Sequence, residues 1–218
     1  MEKLNLLVID TSNDVLKIGL SVNGKESFVD NKNSFKHIEN LIPTIDKMIS
    51  DTGEDKKSIN YIGICEGPGS FTGIRIGLAT VYGLSFGNNI TPFGFSQFEV
   101  YKYLLESSHN MIVPVIDAKK NRFYCSFIKQ GTDFEMFDLT ESEILEKVEE
   151  NSIFVGNDFN LFKNKPSNNF FSHRYEDGYS AKDLISYSKY LIKSQKKLRY
   201  PDPIYLRKSE AEISLLSK

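Results

Sequence analysis

Asp10, Thr11 and Ser12 close an apolar run, Leu6-Leu-Val-Ile-Asp10, at a point where the chain must turn. A tight turn there aims backbone N–H groups and hydroxyls at an anion such as phosphate, and the carboxylate beside them can hold Mg²⁺ through water. The competing reading is a polar hairpin turn, because Asp10-Thr-Ser-Asn-Asp14 has no glycine to bring backbone close to a phosphate. A second run, Val115-Ile-Asp117, ends in the same way, so Asp10 and Asp117 are candidates to face each other across a cleft. Gly67-Pro-Gly-Ser-Phe-Thr-Gly73 looks like a phosphate loop but lacks both the Gly-Lys-Ser/Thr ending and the dinucleotide spacing. Ser70 or Thr72 reads better as the cap of a helix. Arg75 then falls in the first helical turn, where the dipole disfavours a cation, so it is either compensated by a carboxylate or anionic ligand or simply solvated. His37, His109 and His173 are dispersed, and none has a second ligand at helical spacing, so no metal site is expected.

The elements that would position these groups follow from periodicity. Leu6–Asp10, Val15–Val22 and Lys25–Val29 read as a three-strand meander, with Asn23-Gly24 as its second turn. Ser34 is a plausible cap for an amphipathic helix in which Ile38, Leu41, Ile42, Ile45, Met48 and Ile49 share a face, ended by Asp51-Thr-Gly53. Ile59–Cys65 reads as a buried strand, followed by the glycine-rich helix and a strand at Thr91–Phe95. This is the element order of an RNase H-like half-domain. Gln97–Glu106 reads as a further helix. Ile112–Asp117 and Arg122–Lys129 then repeat the strand-turn-strand opening, which suggests a duplicated fold, although two hairpins can look alike by coincidence. Helices at Thr140–Glu149 and Ala181–Ser194, a strand at Ile153–Val155 and an extended tail through Pro201 and Pro203 complete the chain.

The glycine-rich helix is apolar on more than one side. Ile74, Leu78 and Val81 can cover a sheet, while Ile76, Tyr82, Leu84 and Phe86 remain for a second contact. Gly73 and Gly77, four apart, would form a notch where a neighbouring backbone approaches closely, either a partner's or, as the alternative, that of a tight helix–sheet contact within the same domain. From Gly67 to Phe98 Arg75 is the one charged residue, in a chain that is 26% charged. A covered surface, and so a partner subunit, is the expectation. The 218 residues carry a formal net charge of −2, so no global basic field draws the chain to nucleic acid or lipid. Cys65 and Cys125 fall in apolar runs and read as buried thiols. There is no signal-like N-terminus and no purely apolar run of spanning length, so a cytoplasmic protein without a membrane segment is expected.

Ile9-Asp-Thr-Ser12, Lys36-His37 before Leu41-Ile-Pro43, Gly67-Pro-Gly-Ser-Phe-Thr-Gly-Ile-Arg-Ile-Gly77, Val115-Ile-Asp-Ala118 and Ile204-Tyr-Leu-Arg207 occur in this order. With them the chain resembles the bacterial TsaB (YeaZ) family. The resemblance implies a two-lobed actin-like ATPase fold, RNase H-like, with mixed sheets flanked by helices and a truncated second lobe. The lobes are expected at 1–108 and 109–218. It further implies a non-catalytic subunit that works with TsaD and the ATPase TsaE to place threonylcarbamoyl on the adenosine beside the anticodon of tRNA, reaching tRNA only through the complex. No cofactor of its own is implied, ATP or ADP being possible only at an interface shared with partners, with Asp10, Thr11 and Ser12 as this chain's candidate contacts. The TsaD interface, or a homodimer when the chain is alone, is carried onto His37, Ile38, Leu41, Ile45 and Met48 of the first helix. On the second it falls on Phe71, Gly73, Ile74, Arg75, Gly77, Leu78, Val81 and Tyr82. Gly77→Leu is then expected to block co-purification with TsaD while circular dichroism stays near native. The catalytic relative's His-x-x-x-His pair is missing from the corresponding stretch, Gly94–Tyr101. The rival readings are an actin-like kinase or ATPase using Asp10 and Asp117 around Mg-ATP, and a metalloprotease.

Overall fold

Strand β1 (Leu6–Asp10) is buried along its whole length, as is β2 (Leu16–Val22), so both must be covered on two faces. The computed structural model describes residues 4–32, 37–105, 109–162, 170–171, 175, 178–194 and 197–207. β1 pairs antiparallel with β2, which pairs antiparallel with β3 (Lys25–Asn31) across the Asn23-Gly24 turn. Both turn residues have positive φ, 52° and 82°, as that turn requires. On its other side β1 runs parallel to β4 (Tyr61–Cys65), and β4 to β5 (Thr91–Phe95), giving the order β3-β2-β1-β4-β5.

One face of this sheet is covered by α1 (His37–Thr52) and α2 (Phe71–Ser85), in a core built from Leu7, Ile9, Ile18 and Leu20 against Leu41, Ile45, Ile74, Leu78 and Val81. The expected cap Ser34 lies outside the described residues. The other face is covered by α5 (Ala181–Lys193), which opens with a capping box between Ser180 and Asp183. A Cβ at Gly19 would lie 2.5 Å from Ile185, so α5 approaches β2 as closely as glycine allows. The Ala181 amide donates to Asp30 at 3.0 Å.

α3 (Gln97–Leu105) leads into a second sheet: β6 (Met111–Asp117), β7 (Arg122–Ser126), β8 (Ile128–Lys129), β9 (Met136–Thr140), β10 (Ser152–Val155) and β11 (Phe170–Phe171), with α4 (Glu141–Leu145) between β9 and β10. Glu106 of the expected longer α3 lies outside the described residues. The order read from its antiparallel edge is β9-β7-β6-β10-β11, with β8 also pairing β6. β6, β7 and β9 are antiparallel neighbours, while β6, β10 and β11 are parallel. This repeats the first sheet strand for strand, so the echo between the two hairpins is a repeated topology. Its core is aromatic, with Phe154, Phe159 and Phe162 in mutual contact and Phe123 packed on Phe162. The return strand expected over Arg122–Lys129 is divided into β7 and β8, β9 and β11 were not foreseen, and the helix expected at Thr140–Glu149 is the short α4, capped by Thr140.

The described residues group into two units, Met1–Gln97 with Ser180–Ile204, and Phe98–Tyr179 with Tyr205–Lys218. The expected division at residue 108 is therefore redrawn. Ala181, Leu184 and Ile185 are the apolar stripe that completes the first sheet, and they take the C-terminal segment back to it.

Candidate functional site

Ser70 stands in extended conformation and its hydroxyl accepts from the Gly73 amide, so α2 begins at Phe71 as the cap dictates. The start of the helix lies against the tip of the first hairpin. The Thr11 hydroxyl donates to the Gly73 carbonyl at 2.7 Å, and the Ser70 amide donates to the Ser12 carbonyl at 2.8 Å. A Cβ at Gly69 or Gly73 would overlap the carbonyl oxygens of Ser12 and Thr11. At Gly77 it would lie 2.5 Å from Thr11 Oγ1 and 2.7 Å from Ile64 Cδ1. The notch between Gly73 and Gly77 is thus filled from within the same unit, by the Thr11 carbonyl at Gly73 and by the Thr11 and Ile64 side chains at Gly77. This corrects the expectation that a partner occupies it, and the expected outcome for Gly77→Leu with it. A leucine there has no space in the fold.

Asp10, Thr11 and Ser12 are buried, each at most 1% exposed. Asp10 Oδ1 accepts from the Ser12 amide at 2.8 Å and from its hydroxyl at 2.6 Å. The groups that could have met a nucleotide are turned onto their own hairpin and helix. Lys17 is also buried and is the register partner of Asp10 on one side and Asp30 on the other.

Of the residues expected at the interface, Leu41, Ile45, Met48, Gly73, Ile74, Gly77, Leu78 and Val81 are interior to the first unit. The side chains of His37 and Ile38 lie outside the described residues. Phe71 and Tyr82 are half-buried, and Arg75 is exposed. What α2 turns outward is a stripe of Thr72, Arg75, Ala79 and Gly83, flanked by half-buried Ile76 and Thr80 and ending at Phe86, which is 87% exposed. A Cβ at Gly83 would meet nothing within 4 Å. Ile42 is exposed on α1.

Glu66 escaped the sequence reading. It is the one charge at the end of the buried strand β4, its side chain is 1% exposed, and it holds the C-terminal segment. Oε2 accepts from Arg199 at 2.6 Å and Oε1 from the Asp202 amide at 2.7 Å. The Glu66 carbonyl accepts from the Ile204 amide. Beside this latch Tyr82 donates to the Pro201 carbonyl at 2.6 Å and stacks on Tyr200, with centroids 5.8 Å apart and planes 10° from parallel. Burial first, then the charges of Tyr200, Asp202 and Glu66, push the Tyr82 hydroxyl above its ordinary value. A carboxylate following a buried strand, 133 residues from its arginine, has no local sequence signal.

In the second unit Asp138 joins Arg122 and Arg207. Oδ1 accepts from Arg122 Nε and Arg207 Nη2, both at 2.9 Å, and Oδ2 from Arg207 Nε at 2.8 Å. Arg122 Nη2 also donates to the Asp138 carbonyl, and Arg207 Nη1 to the Ala118 carbonyl. Burial pushes the Asp138 carboxyl up, but hydrogen bonds and charge from Arg207 and Arg122 outweigh it and hold the group below its usual range. Asp117 accepts at Oδ1 from the Lys119 amide and at Oδ2 from its ammonium. Among the described residues no three His, Cys, Asp or Glu side chains gather as metal ligands would, and no helix is long and apolar enough to cross a membrane.

The chain is 29% identical over 159 residues to the tRNA threonylcarbamoyladenosine biosynthesis protein TsaB of Haemophilus influenzae, a match covering 68% of this chain and 65% of that protein, just under two thirds of its length. It is 26% identical to the protein of the same description from Buchnera aphidicola subsp. Schizaphis graminum, covering 84% of this chain and 91% of the relative. Among solved structures, YeaZ from Pseudomonas aeruginosa superposes with a TM-score of 0.70 at 20% identity, over 93% of this chain and all of that one, which establishes the shared fold. The family model described as TsaD, tRNA N6-adenosine threonylcarbamoyltransferase, matches residues 28–215, so the chain belongs to that family and, within it, to the TsaB (YeaZ) proteins.

Proposed function

We propose that this protein is a non-catalytic subunit in the biosynthesis of threonylcarbamoyladenosine in tRNA, pairing with a TsaD homologue and engaging the ATPase TsaE in the cytoplasm. The observation that carries this reading is the state of the first hairpin tip. Its two hydroxyls and Asp10 Oδ1 take part in internal hydrogen bonds, and the start of α2 packs against it. A tip built this way supports a scaffold role and speaks against the kinase or ATPase that would use Asp10. ATP or ADP belongs, on this reading, only to a surface completed by a partner.

The partner surface is the outward stripe of α2 from Thr72 through Ala79 and Gly83 to Phe86, with Ile42 of α1 as a flanking apolar contact. Small side chains let a second helix come close, and an exposed phenylalanine at the helix end is costly unless covered. Alone, the chain can pair with a second copy through the same stripe. The decisive experiment is threonylcarbamoyl transfer to tRNA with TsaD and TsaE homologues, with and without this chain. Transfer is expected to require it, and a rate unchanged by its omission would refute the assignment.

A further inference from the structure

Between the second half of α1, the end of α2 and the first sheet lies a cavity of about 730 Å³. Close-packed interiors hold few voids larger than a water molecule, whereas sites for small ligands run from roughly 300 to 1,000 Å³. Its residues are sorted by depth. Leu7 and Ile62 from the sheet, Ile45 and Ile49 from α1, and Leu84 and Ile90 around the end of α2 form aliphatic walls, and all six are buried or half-buried. The charged residues that line it, Asp46, Glu54, Asp55, Lys56 and Lys57, are all exposed. Among the described residues no aromatic ring and no buried polar side chain lines the cavity. An apolar interior with its charges confined to the mouth fits a ligand divided in the same way, an aliphatic body with one polar end.

The mouth selects the charge of that end. Lys56 Nζ pairs with Asp46 Oδ1 at 2.6 Å. Glu54 and Asp55 accept from uncharged donors instead, Glu54 Oε1 from the Asn23 side-chain amide at 2.6 Å and Asp55 Oδ1 from the Lys57 backbone amide at 2.8 Å. Each keeps its second carboxylate oxygen without a partner among the described residues. Lys57 offsets one of these two charges, so the mouth holds three carboxylates against two ammonium groups. A cationic end is therefore attracted and an anionic one repelled, by the modest amount that exposed charges allow.

We propose that the first unit binds a small aliphatic primary amine, its hydrocarbon body in this cavity and its ammonium group at Glu54 and Asp55, independently of any pairing with a TsaD homologue. The probes are octylamine and octanoate, equal chains with opposite ends, titrated below micelle formation into the full chain carrying labelled isoleucine methyl groups. Ile45, Ile49, Ile59, Ile62 and Ile90 all line the cavity, so their NMR shifts report the place of binding as well as its strength. Octylamine should move these methyls saturably and bind about fivefold more tightly than octanoate. Glu54→Gln with Asp55→Asn keeps an acceptor for both existing hydrogen bonds and should erase that preference. Ile90→Phe enlarges a half-buried wall residue into the cavity and should abolish both titrations while circular dichroism stays unchanged. Shifts spread over isoleucines elsewhere, a titration that does not saturate, or equal affinity for the two ends in the unsubstituted chain would overturn the proposal.

Discussion

Asp138 is the residue on which the second unit's charge balance turns, because it accepts from both Arg122 and Arg207. Its carboxyl is depressed in the folded protein, so the stabilisation it gives is complete above the ordinary carboxylate value of about 4 and is lost as pH falls through the lower folded value. Asp138→Asn should cost about 1 kcal/mol near neutral pH, a figure discounted because the Arg122 side chain is 37% exposed, and should flatten the stability profile below about pH 4. Urea unfolding of both proteins across that range measures it, and an equally steep acid loss in the variant would contradict the assignment. Cys125 gives a second handle at this scale. Burial first, then the charges of Asp138 and Glu143, push its thiol up to about 12, so in the native protein at neutral pH it should resist iodoacetamide, reacting only after denaturation. Rapid native alkylation of Cys125, read by mass spectrometry, would show that β7 opens.

α2 carries two kinds of glycine. Gly73 and Gly77 face the hairpin tip, where a methyl group meets a backbone carbonyl or the Thr11 hydroxyl, while Gly83 faces open space. Gly73→Ala is therefore expected to destabilise the protein by several kcal/mol, because the Thr11 carbonyl that it meets cannot swing aside. Gly83→Ala should stabilise it by up to about 1 kcal/mol, the ordinary gain of alanine over glycine in an exposed helix interior. Thermal unfolding ranks the pair, and a stabilising Gly73→Ala would refute the close approach. Gly83→Arg should fold normally and fail to co-purify with the TsaD homologue, which tests the outward stripe apart from the core. Much of α2 is legible in its sequence, from the Ser70 cap to the buried Ile74, Leu78 and Val81, because caps and periodicity are local. What packs into the notch beside Gly73 and Gly77 is not legible. That depends on where the Asp10–Ser12 tip lies, a contact across more than fifty residues.

At the scale of the molecule, the repeated strand order follows from patterns that sequence shows well: apolar runs ending in aspartate, each with a return strand. The path of the C-terminal segment does not. Ala181, Leu184 and Ile185 read as one more amphipathic helix, and nothing local says that the sheet it covers is the one formed by the first hundred residues. The choice is made by Gly19, which leaves room for Ile185, by Asp30, which takes the Ala181 amide, and by Glu66, which receives Arg199 and Asp202. None of the three announces itself. β2 is buried on both faces only because α5 is there, so a chain ended at Tyr179 should lay open one face of the β1–β2–β3 sheet. That truncated chain is expected to bind hydrophobic dye and to aggregate on expression, whereas one ended at Arg207 keeps α5, the Glu66 latch and the Asp138 anchor and should remain monodisperse. Glu66→Gln in the full chain weakens the latch without removing the helix, and should fall between them in stability. A soluble, cooperatively unfolding 1–179 fragment would show that the first unit is complete without its returning helix.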